Sequence, residues 1–455
     1  MKRTSMPKAG SEGAVAMRGT YRVRRSRHEG RSLRRVQDDD RRRLLNAPVV
    51  GWVLYDFANT IFSFVVVTRY FNDWIIEERG QPDIYVGLMV AFVSLALIVA
   101  LPLIGVLADR SGRHKPILIV FTLVCIAATG LLGVVESILL ALVVGAIATF
   151  AFNTADSQYH PLLSVVAPER HRARISGIGV AVGYLGTLTV LLLIGGIATD
   201  GHAQRAFLPA AALFALFALP LFLLVREDRT GGERAPAGPF TQLAATLRRA
   251  RGMPHGRLLL ARFFYVDAIA TVLAFMTVYA RRTGDFDGRA IDVLLAASTV
   301  AAIAGALGAG WLAHRHGPRR VVLGTLGMII TVLVIGAGTG SSALLWVIGP
   351  LVGVALGSLS AVDRVFLLRL VAPERRGEDF ALYALVGKLS SGFGPLVLWG
   401  GTVLVATELG LSKFDASRIA MFVLAGAALA GYLILRPIAD APAPDARPEP
   451  APVPA

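Results

Sequence analysis

Charged and amide side chains inside long apolar runs are the residues of this sequence best suited to chemistry. Asp56 and Asn59 fall in the first such run, Asn153 in the fourth and Asp267 in the seventh. An ionisable group is costly inside a bilayer, and it is usually retained where it binds a substrate, an ion or another buried charge. These residue types therefore predict binding of a polar solute or a proton.

Metal chemistry and enzyme catalysis are not predicted. The sequence has one cysteine, Cys125, and no Cys/His cluster with the spacing of metal ligands. It contains neither a nucleophile paired with a base nor a glycine-rich phosphate loop followed by Lys and Ser or Thr. We expect no cofactor, no metal and no enzyme activity, and transport driven by ATP is disfavoured.

The polar residues recur at helical spacing. Asp56, Asn59 and Ser63 lie three and seven positions apart, which places them on one face of a helix. Asn153, Ser157 and their polar neighbours follow the same rule in the fourth run. Runs 1, 4, 7 and 10 carry such residues, whereas runs 6 and 12 carry almost none. A central aqueous path, flanked by helices that face lipid, would produce this pattern.

The composition excludes a soluble protein. Of the 455 residues, 55% are hydrophobic and only 17% are charged, and the mean hydropathy is +0.61. Soluble domains carry roughly 25% charged residues. The net charge of +15 could suggest nucleic acid, but residues 1–47 alone hold 14 Lys or Arg. We therefore predict an all-α, multi-pass integral membrane protein that binds the lipid bilayer and no nucleic acid.

Twelve apolar runs are long enough to cross a bilayer as helices, which takes about 20 residues each. They fall at 48–75, 84–108, 115–134, 138–163, 174–198, 206–225, 257–281, 288–313, 318–337, 342–370, 378–406 and 415–436.

The basic residues predict the orientation. Most of those outside the N-terminal tail lie in the even-to-odd loops, the same side as the tail itself. Basic loops stay on the cytoplasmic side, so both termini should be cytoplasmic. The membrane is expected to be the plasma (cell inner) membrane. The basic tail at 1–47 and the Pro/Ala-rich tail at 437–455 are predicted to be disordered.

The chain contains an internal repeat with an offset of 205 residues. Three separate patterns recur at this offset: Val-Ala-Pro-Glu-Arg at 166–170 and 371–375, Gly-x-x-x-(Asp/His)-x-x-Gly at 105–112 and 310–317, and Gly-Gly at 195–196 and 400–401. The sequence thus predicts two parallel six-helix bundles, at 48–225 and 257–436, joined by a cytoplasmic linker at 226–256. Within the linker, 240–251 could form a helix on the membrane surface.

The loop at 105–115, Gly-Val-Leu-Ala-Asp-Arg-Ser-Gly-Arg-His-Lys, resembles the signature loop of the major facilitator superfamily. Membership implies the major facilitator fold, with twelve helices in two halves around a central site, and secondary transport by alternating access. In such a loop, Asp109 and the basic residues would form a cytoplasmic charge cluster that is paired in one state and broken in another.

A narrower resemblance is to the vacuole-effluxer-like family. Trp-Val-Leu-Tyr-Asp-Phe-Ala-Asn at 52–59 resembles its opening motif. Segments 152–186 and 264–271 resemble its signatures at helices 4 to 5 and at helix 7. That family includes fungal vacuolar amino-acid exporters, which implies export of a small polar solute.

At about 1.5 Å per residue, Asp56, Asn59 and Asp267 should lie near the middle of the bilayer. The carboxylates of Asp56 and Asp267 each have a second interpretation, as purely structural hydrogen-bond partners. Lys388 could bind an anionic group or extend to the interface. The residues predicted to bind substrate or protons are Asp56, Asn59, Asn153, Asp267, Tyr265, Thr271 and Lys388.

A second set should lie nearer the cytoplasmic mouth and form a gate, with interfacial pairing as the alternative. The predicted gate residues are Asp109, Arg110, Arg113, Asp156, His160, Glu169, Asp363, Arg364 and Glu374.

The sequence therefore predicts a secondary transporter that exports a small polar solute, with protons as a possible coupling ion and one chain sufficient for function. Two alternatives remain: a broad-specificity drug/proton antiporter, and a membrane receptor or assembly protein without transport activity.

Overall fold

The computed structural model describes residues 46–198, 201–228, 238–282, 286–339, 341–371 and 376–439. The predicted tails at 1–47 and 437–455 lie almost entirely outside these residues. No residue of the described ranges is assigned to a β-strand.

Twelve helices of the described residues are long and apolar enough to cross a membrane, which confirms the predicted all-α membrane fold. We call the side on which α1 begins the inner side. The helices are α1 Ala47–Glu78, α2 Asp83–Ser111, α3 Lys115–Leu132, α4 Ile138–Val166, α5 Glu169–Leu193, α6 Ala203–Leu224, α7 Pro254–Arg282, α8 Gly288–His316, α9 Pro318–Thr339, α10 Ser342–Leu370, α11 376–408 and α12 Lys413–Leu435.

The helices pack in the same pairs in each half, as the repeat predicts. In the first half α1 packs on α5 and α6, α3 on α4 and α6, and α2 on α4. In the second half α7 packs on α11 and α12, α9 on α10 and α12, and α8 on α10. The halves meet where α2 contacts α11, α5 contacts α8, and the outer part of α1 contacts α7.

Two of the described helices contain π-helical segments. α1 changes to π-helical turns at Ser63–Arg69 and Trp74–Glu78, and α11 does so at Gly394–Gly401. A π-helical turn adds a residue to the turn and rotates the side chains that follow. In both helices these turns lie at contacts between the halves.

Small residues on α5 let α1 approach closely. A Cβ atom at Gly186 would lie 2.7 Å from the carbonyl oxygen of Phe57, and one at Gly183 would lie 2.9 Å from Thr60 Oγ1. Small residues on α5 therefore allow close packing against the part of α1 that carries Asp56.

A further helix, Pro239–Ala250, lies between the two halves and is called the linker helix. It corresponds to the helix predicted at 240–251. It contacts α2 of the first half and both α7 and α11 of the second.

Candidate functional site

A cavity of about 330 Å³ lies between the two halves. Asp56 lies at its inner end and Thr68, three turns further along α1, at its outer end. Five helices from both halves line it, which places it on the interface that alternating access would open and close. The lining residues of α5, α7, α8 and α10 are Val180, Tyr184, Thr187, Leu273, Met276, Leu295, Ser298, Thr299, Ala302, Gly349, Val352, Gly353 and Leu356.

Hydroxyl groups are the main polar groups of this cavity. Thr60, Ser298 and Thr299 each donate to the carbonyl oxygen of the residue four positions earlier, a bond that satisfies the hydroxyl hydrogen within its own helix. Their oxygen lone pairs can still accept from a ligand. Apolar side chains such as Phe64 and Leu273 complete the wall.

A second group of polar residues lies on α4, where it meets α1 and α11. Asn59 Nδ2 donates to Asp156 Oδ1 at 3.4 Å, and His160 Nε2 lies 3.7 Å from the same oxygen. One turn away, Lys388 Nζ of α11 donates to Asn153 Oδ1 of α4, a hydrogen bond between the two halves. Four residues predicted from the sequence for binding or gating thus lie, with Lys388, in two contacting groups centred one turn apart on α4, and together they are called the polar cluster.

The charges of this region are divided between the halves. Asp56 and Asp156 belong to the first half, and both are partly exposed rather than fully buried. Lys388 and the exposed Arg364 belong to the second half. Among the described residues, Asn153 is the polar partner of the Lys388 ammonium, and no carboxylate forms an ion pair with it.

Asp267 lies away from this cavity, inside the second half. It is 1% exposed, and its Oδ1 accepts from the backbone N–H of Gly394 at 2.8 Å. Thr271 is fully buried beside it and donates to the Asp267 carbonyl oxygen. The carboxylate therefore points between α7 and α11, towards the start of the π-helical segment of α11.

Tyr265 and Asp363 also lie within the second half. The Asp363 carboxylate accepts from the hydroxyls of Tyr265 at 2.5 Å and Tyr383 at 2.8 Å, and it pairs with the guanidinium of Arg262. That guanidinium lies 3.6 Å from the centroid of the Tyr383 ring. Asp363 is thus bound to α7 and α11 and does not pair with its neighbour Arg364.

The predicted gate residues of the loops are described only in part. Arg110 and Arg113 are exposed, and Gly112 has a φ of 64°, which suits glycine. The side chains of Asp109 and Glu169 lie outside the described residues, as does the whole of Glu374. The end of this loop is attached to the segment that follows α6, because Glu227 accepts from the backbone N–H groups of His114 and Lys115.

A family model described as Major Facilitator Superfamily matches residues 50–395. The chain belongs to the major facilitator superfamily. Its members are membrane transporters rather than enzymes, so the cavity and the polar cluster above lie in a transporter that handles a small-molecule substrate.

Two relatives are similar to this major facilitator protein. The uncharacterized MFS-type transporter YxiO of Bacillus subtilis (strain 168) is 27% identical over 372 residues, which is 76% of this chain and 86% of that protein. Autophagy-related protein 22 of Coccidioides immitis (strain RS) is 24% identical over 268 residues. That match covers 51% of this chain and 44% of the fungal protein.

Solved structures agree on the fold. A crystal structure of the nucleoside transporter NupG superposes with a TM-score of 0.68 and 14% sequence identity, over 86% of this chain and 98% of that one. At this identity the likeness shows the major facilitator fold alone.

An ionic network that was not predicted from the sequence closes the outer side of this transporter. Arg69 and Asp73 of α1 are both fully buried and lie 3.0 Å apart. Arg69 also pairs with Asp292 of α8 at 2.8 Å, and Asp73 pairs with Arg281 of α7 at 2.5 Å. Two of the three ion pairs therefore join one half to the other.

A second part of this outer network is centred on Arg282 of α7. Its guanidinium lies 2.9 Å from Glu77 of α1 and 2.5 Å from Asp83 of α2. Trp399 Nε1 of α11 donates to the same Asp83 carboxylate at 2.7 Å. The sequence carried one signal of this network: Arg69 and Asp73 are spaced i, i+4 near the outer end of an apolar run.

Proposed function

We propose that this protein is a secondary transporter that exports a small zwitterionic solute, such as an amino acid or a related metabolite, by alternating access. One observation carries the proposal: the Lys388 ammonium of the second half donates to Asn153 of α4, one turn from the Asp156 carboxylate of the first half, which in turn accepts from Asn59 on the face of α1 that carries Asp56. A solute with an amino and a carboxylate group could bind both halves at once. Such contacts are directional and favour a specific polar ligand.

The direction of transport in this proposal rests on the resemblance to the family that includes fungal vacuolar exporters. With both termini in the cytoplasm, the outer network closes the extracellular side of the plasma membrane. The polar cluster around Asp156 then faces the cytoplasm, from which the solute would be loaded. A single chain contains both halves and is sufficient for the cycle.

Coupling to protons is proposed to act through Asp56. Its carboxylate packs on Gly179, where a Cβ atom would lie 3.2 Å from Oδ2. No hydrogen-bond donor to this carboxylate is found among the described residues, so the group is available to a proton or to the solute. Asp267, which the sequence also suggested, is proposed as a partner of α11 rather than as a cavity carboxylate.

The test is transport by purified protein in liposomes, with a panel of radiolabelled zwitterionic solutes. We expect Asp56→Asn and Lys388→Met each to lower uptake of the best substrate about 10- to 100-fold, the loss that corresponds to one hydrogen bond to a charged group. A proton gradient should drive uptake in the wild type and not in Asp56→Asn.

Asp415→Asn and Lys413→Met are the matched controls, because both residues lie at the outer start of α12, outside the cavity and the polar cluster. They should transport at wild-type rates. Wild-type uptake in both Asp56→Asn and Lys388→Met would disprove the proposed charge recognition.

A drug/proton antiporter is the second candidate, and the apolar part of the cavity favours it. Phe64, Met276, Val352 and Leu356 would suit an aromatic or lipophilic cation. Flux of cationic dyes through the same liposomes, without flux of zwitterionic solutes, would support this candidate. Absence of all flux would support a receptor or assembly protein.

A further inference from the structure

The position of the linker helix relative to the bilayer follows from its connection to α7. The helix ends at Ala250, and α7 begins at Pro254, so three residues join them. Gly252 makes the turn with a φ of 82°. Since α7 crosses the membrane from its inner side and three residues reach only about 10 Å, the Ala250 end of the linker helix lies near the inner surface of the bilayer.

Three arginines of this region are exposed at the level where lipid headgroups lie. Arg248 and Arg251 are at the end of the linker helix, and Arg257 is in the first turn of α7. Leu260 lies one turn further along α7, on the same face of the helix as Arg257, and is 54% exposed. A basic residue one turn from a lipid-facing leucine is placed at the boundary between headgroups and acyl chains. Arg249, in contrast, donates to Thr246.

Apolar side chains lie among these arginines. Leu247 and Met253 are each 48% exposed. Basic and apolar side chains exposed together are typical of helices that lie in the plane of a membrane with anionic lipids. A soluble anion would use the arginines alone and leave the apolar groups exposed to water.

Among the side chains that the structure describes around the linker helix, no carboxylate forms an ion pair with Arg248, Arg251 or Arg257. Asp379 of α11 is 5% exposed and lies 3.8 Å from His255 Nε2, so its carboxylate is directed into the protein. Arg110, at the end of α2, adds an exposed positive charge to the same inner surface. The contacting helices α2 and α11 belong to different halves.

We propose that Arg248, Arg251 and Arg257, with Leu247 and Met253, form a binding site for an anionic phospholipid of the inner leaflet. The guanidinium groups bind the headgroup phosphate, and the apolar side chains contact the acyl chains. This site is separate from the transport cavity, and its occupant stabilises the linker helix against both halves.

The test uses the purified full chain in mixed micelles, with phosphatidylglycerol titrated against phosphatidylcholine. The midpoint of thermal unfolding should rise with phosphatidylglycerol in the wild type and change little with phosphatidylcholine. Since a basic residue near an anionic surface contributes about fivefold to affinity, the variant Arg248→Gln/Arg251→Gln/Arg257→Gln should bind phosphatidylglycerol about 100-fold more weakly. The corresponding triple Lys variant, which keeps the charge and should fold normally, should retain binding.

A matched control removes three exposed basic side chains elsewhere on the inner side: Arg315→Gln/Arg320→Gln/Arg436→Gln. It has the same net charge as the test variant and should respond to phosphatidylglycerol like the wild type. An unchanged response in the test variant would overturn the proposal, and so would an equal loss in the control. Equal stabilisation by inorganic phosphate would also overturn it, because the ligand would then be a soluble anion.

Discussion

At the scale of single residues, Asp363 and Lys388 show two different environments for a charge inside the second half. Asp363 is 2% exposed, and its carboxylate is bound by Arg262, Tyr265 and Tyr383. Lys388 is partly exposed at the interface and is held by the amide of Asn153. The first charge is satisfied by its own half, whereas the second keeps donors available to a ligand.

Removing the Asp363 carboxylate should destabilise the protein strongly. Asp363→Ala leaves the partly buried Arg262 guanidinium without a counter-ion, and loss of one partner of a buried pair costs about 3–5 kcal/mol. We expect a large fall in the midpoint of thermal unfolding in detergent. In the double variant Arg262→Met/Asp363→Leu no charge is left unpaired, so most of the stability should return; a double variant as unstable as Asp363→Ala would contradict this account.

At the scale of elements, the junction of α7 with α11 determines where the π-helical segment of α11 begins. The backbone N–H of Gly394 donates to Asp267, and Pro395, which has no N–H, follows it. A Cβ atom at position 394 would lie 2.1 Å from Thr271 Oγ1 and 2.6 Å from Asp267 Oδ1. Only glycine allows the two helices to approach to this distance.

Gly394→Ala should therefore separate α7 from α11. Overpacking of this kind costs about 1–3 kcal/mol. The measurement is the midpoint of thermal unfolding, with Gly426→Ala on α12 as the control, because a Cβ atom there would meet nothing within 4 Å. Equal midpoints for the two variants would show that the contact at Gly394 adds no stability.

At the scale of the whole molecule, the ion pairs of the outer network join the halves on one side only. Arg69, Asp73 and Asp292 connect α1 to α7 and α8 directly above the cavity, which ends at Thr68. Buried ion pairs of this type are stable only while both partners remain in place. The outer network therefore favours the arrangement in which the outer side is closed.

Neutralising the outer network should open this side. The measurement is the rate at which a cysteine placed at Thr68 reacts with a membrane-impermeant thiol reagent added from outside. We expect this rate to be about tenfold higher in the Asp73→Asn/Asp292→Asn background than in the otherwise unchanged protein, which corresponds to about 1.4 kcal/mol. The native Cys125 is fully buried and should not interfere. Asp415→Asn removes an ion pair within α12 and should leave the rate unchanged; equal rates in all three backgrounds would rule out a gating role for the outer network.

The sequence by itself determined the twelve helices, the two halves and the family. These three features follow from the length of the apolar runs and from a repeat at a constant offset. Both are properties of the sequence that do not depend on which helices pack together. It also indicated the polar faces of α1 and α4, because helical spacing places Asp56 with Asn59, and Asn153 with Asp156, before any packing is known.

The tertiary structure decided which of these residues share a site. Helical spacing gives the face of a residue but not the helix opposite, so Asp267, Thr271 and Tyr265 could not be separated from the cavity residues by sequence. The π-helical turns rotate the outer part of α1 and the segment of α11 after Gly394, and no local pattern marks them. The outer network depends on Arg69, Asp73 and Asp292 meeting across more than 200 residues of chain. Only the association of the two halves brings these charges together and buries them, because neither half alone contains all the partners.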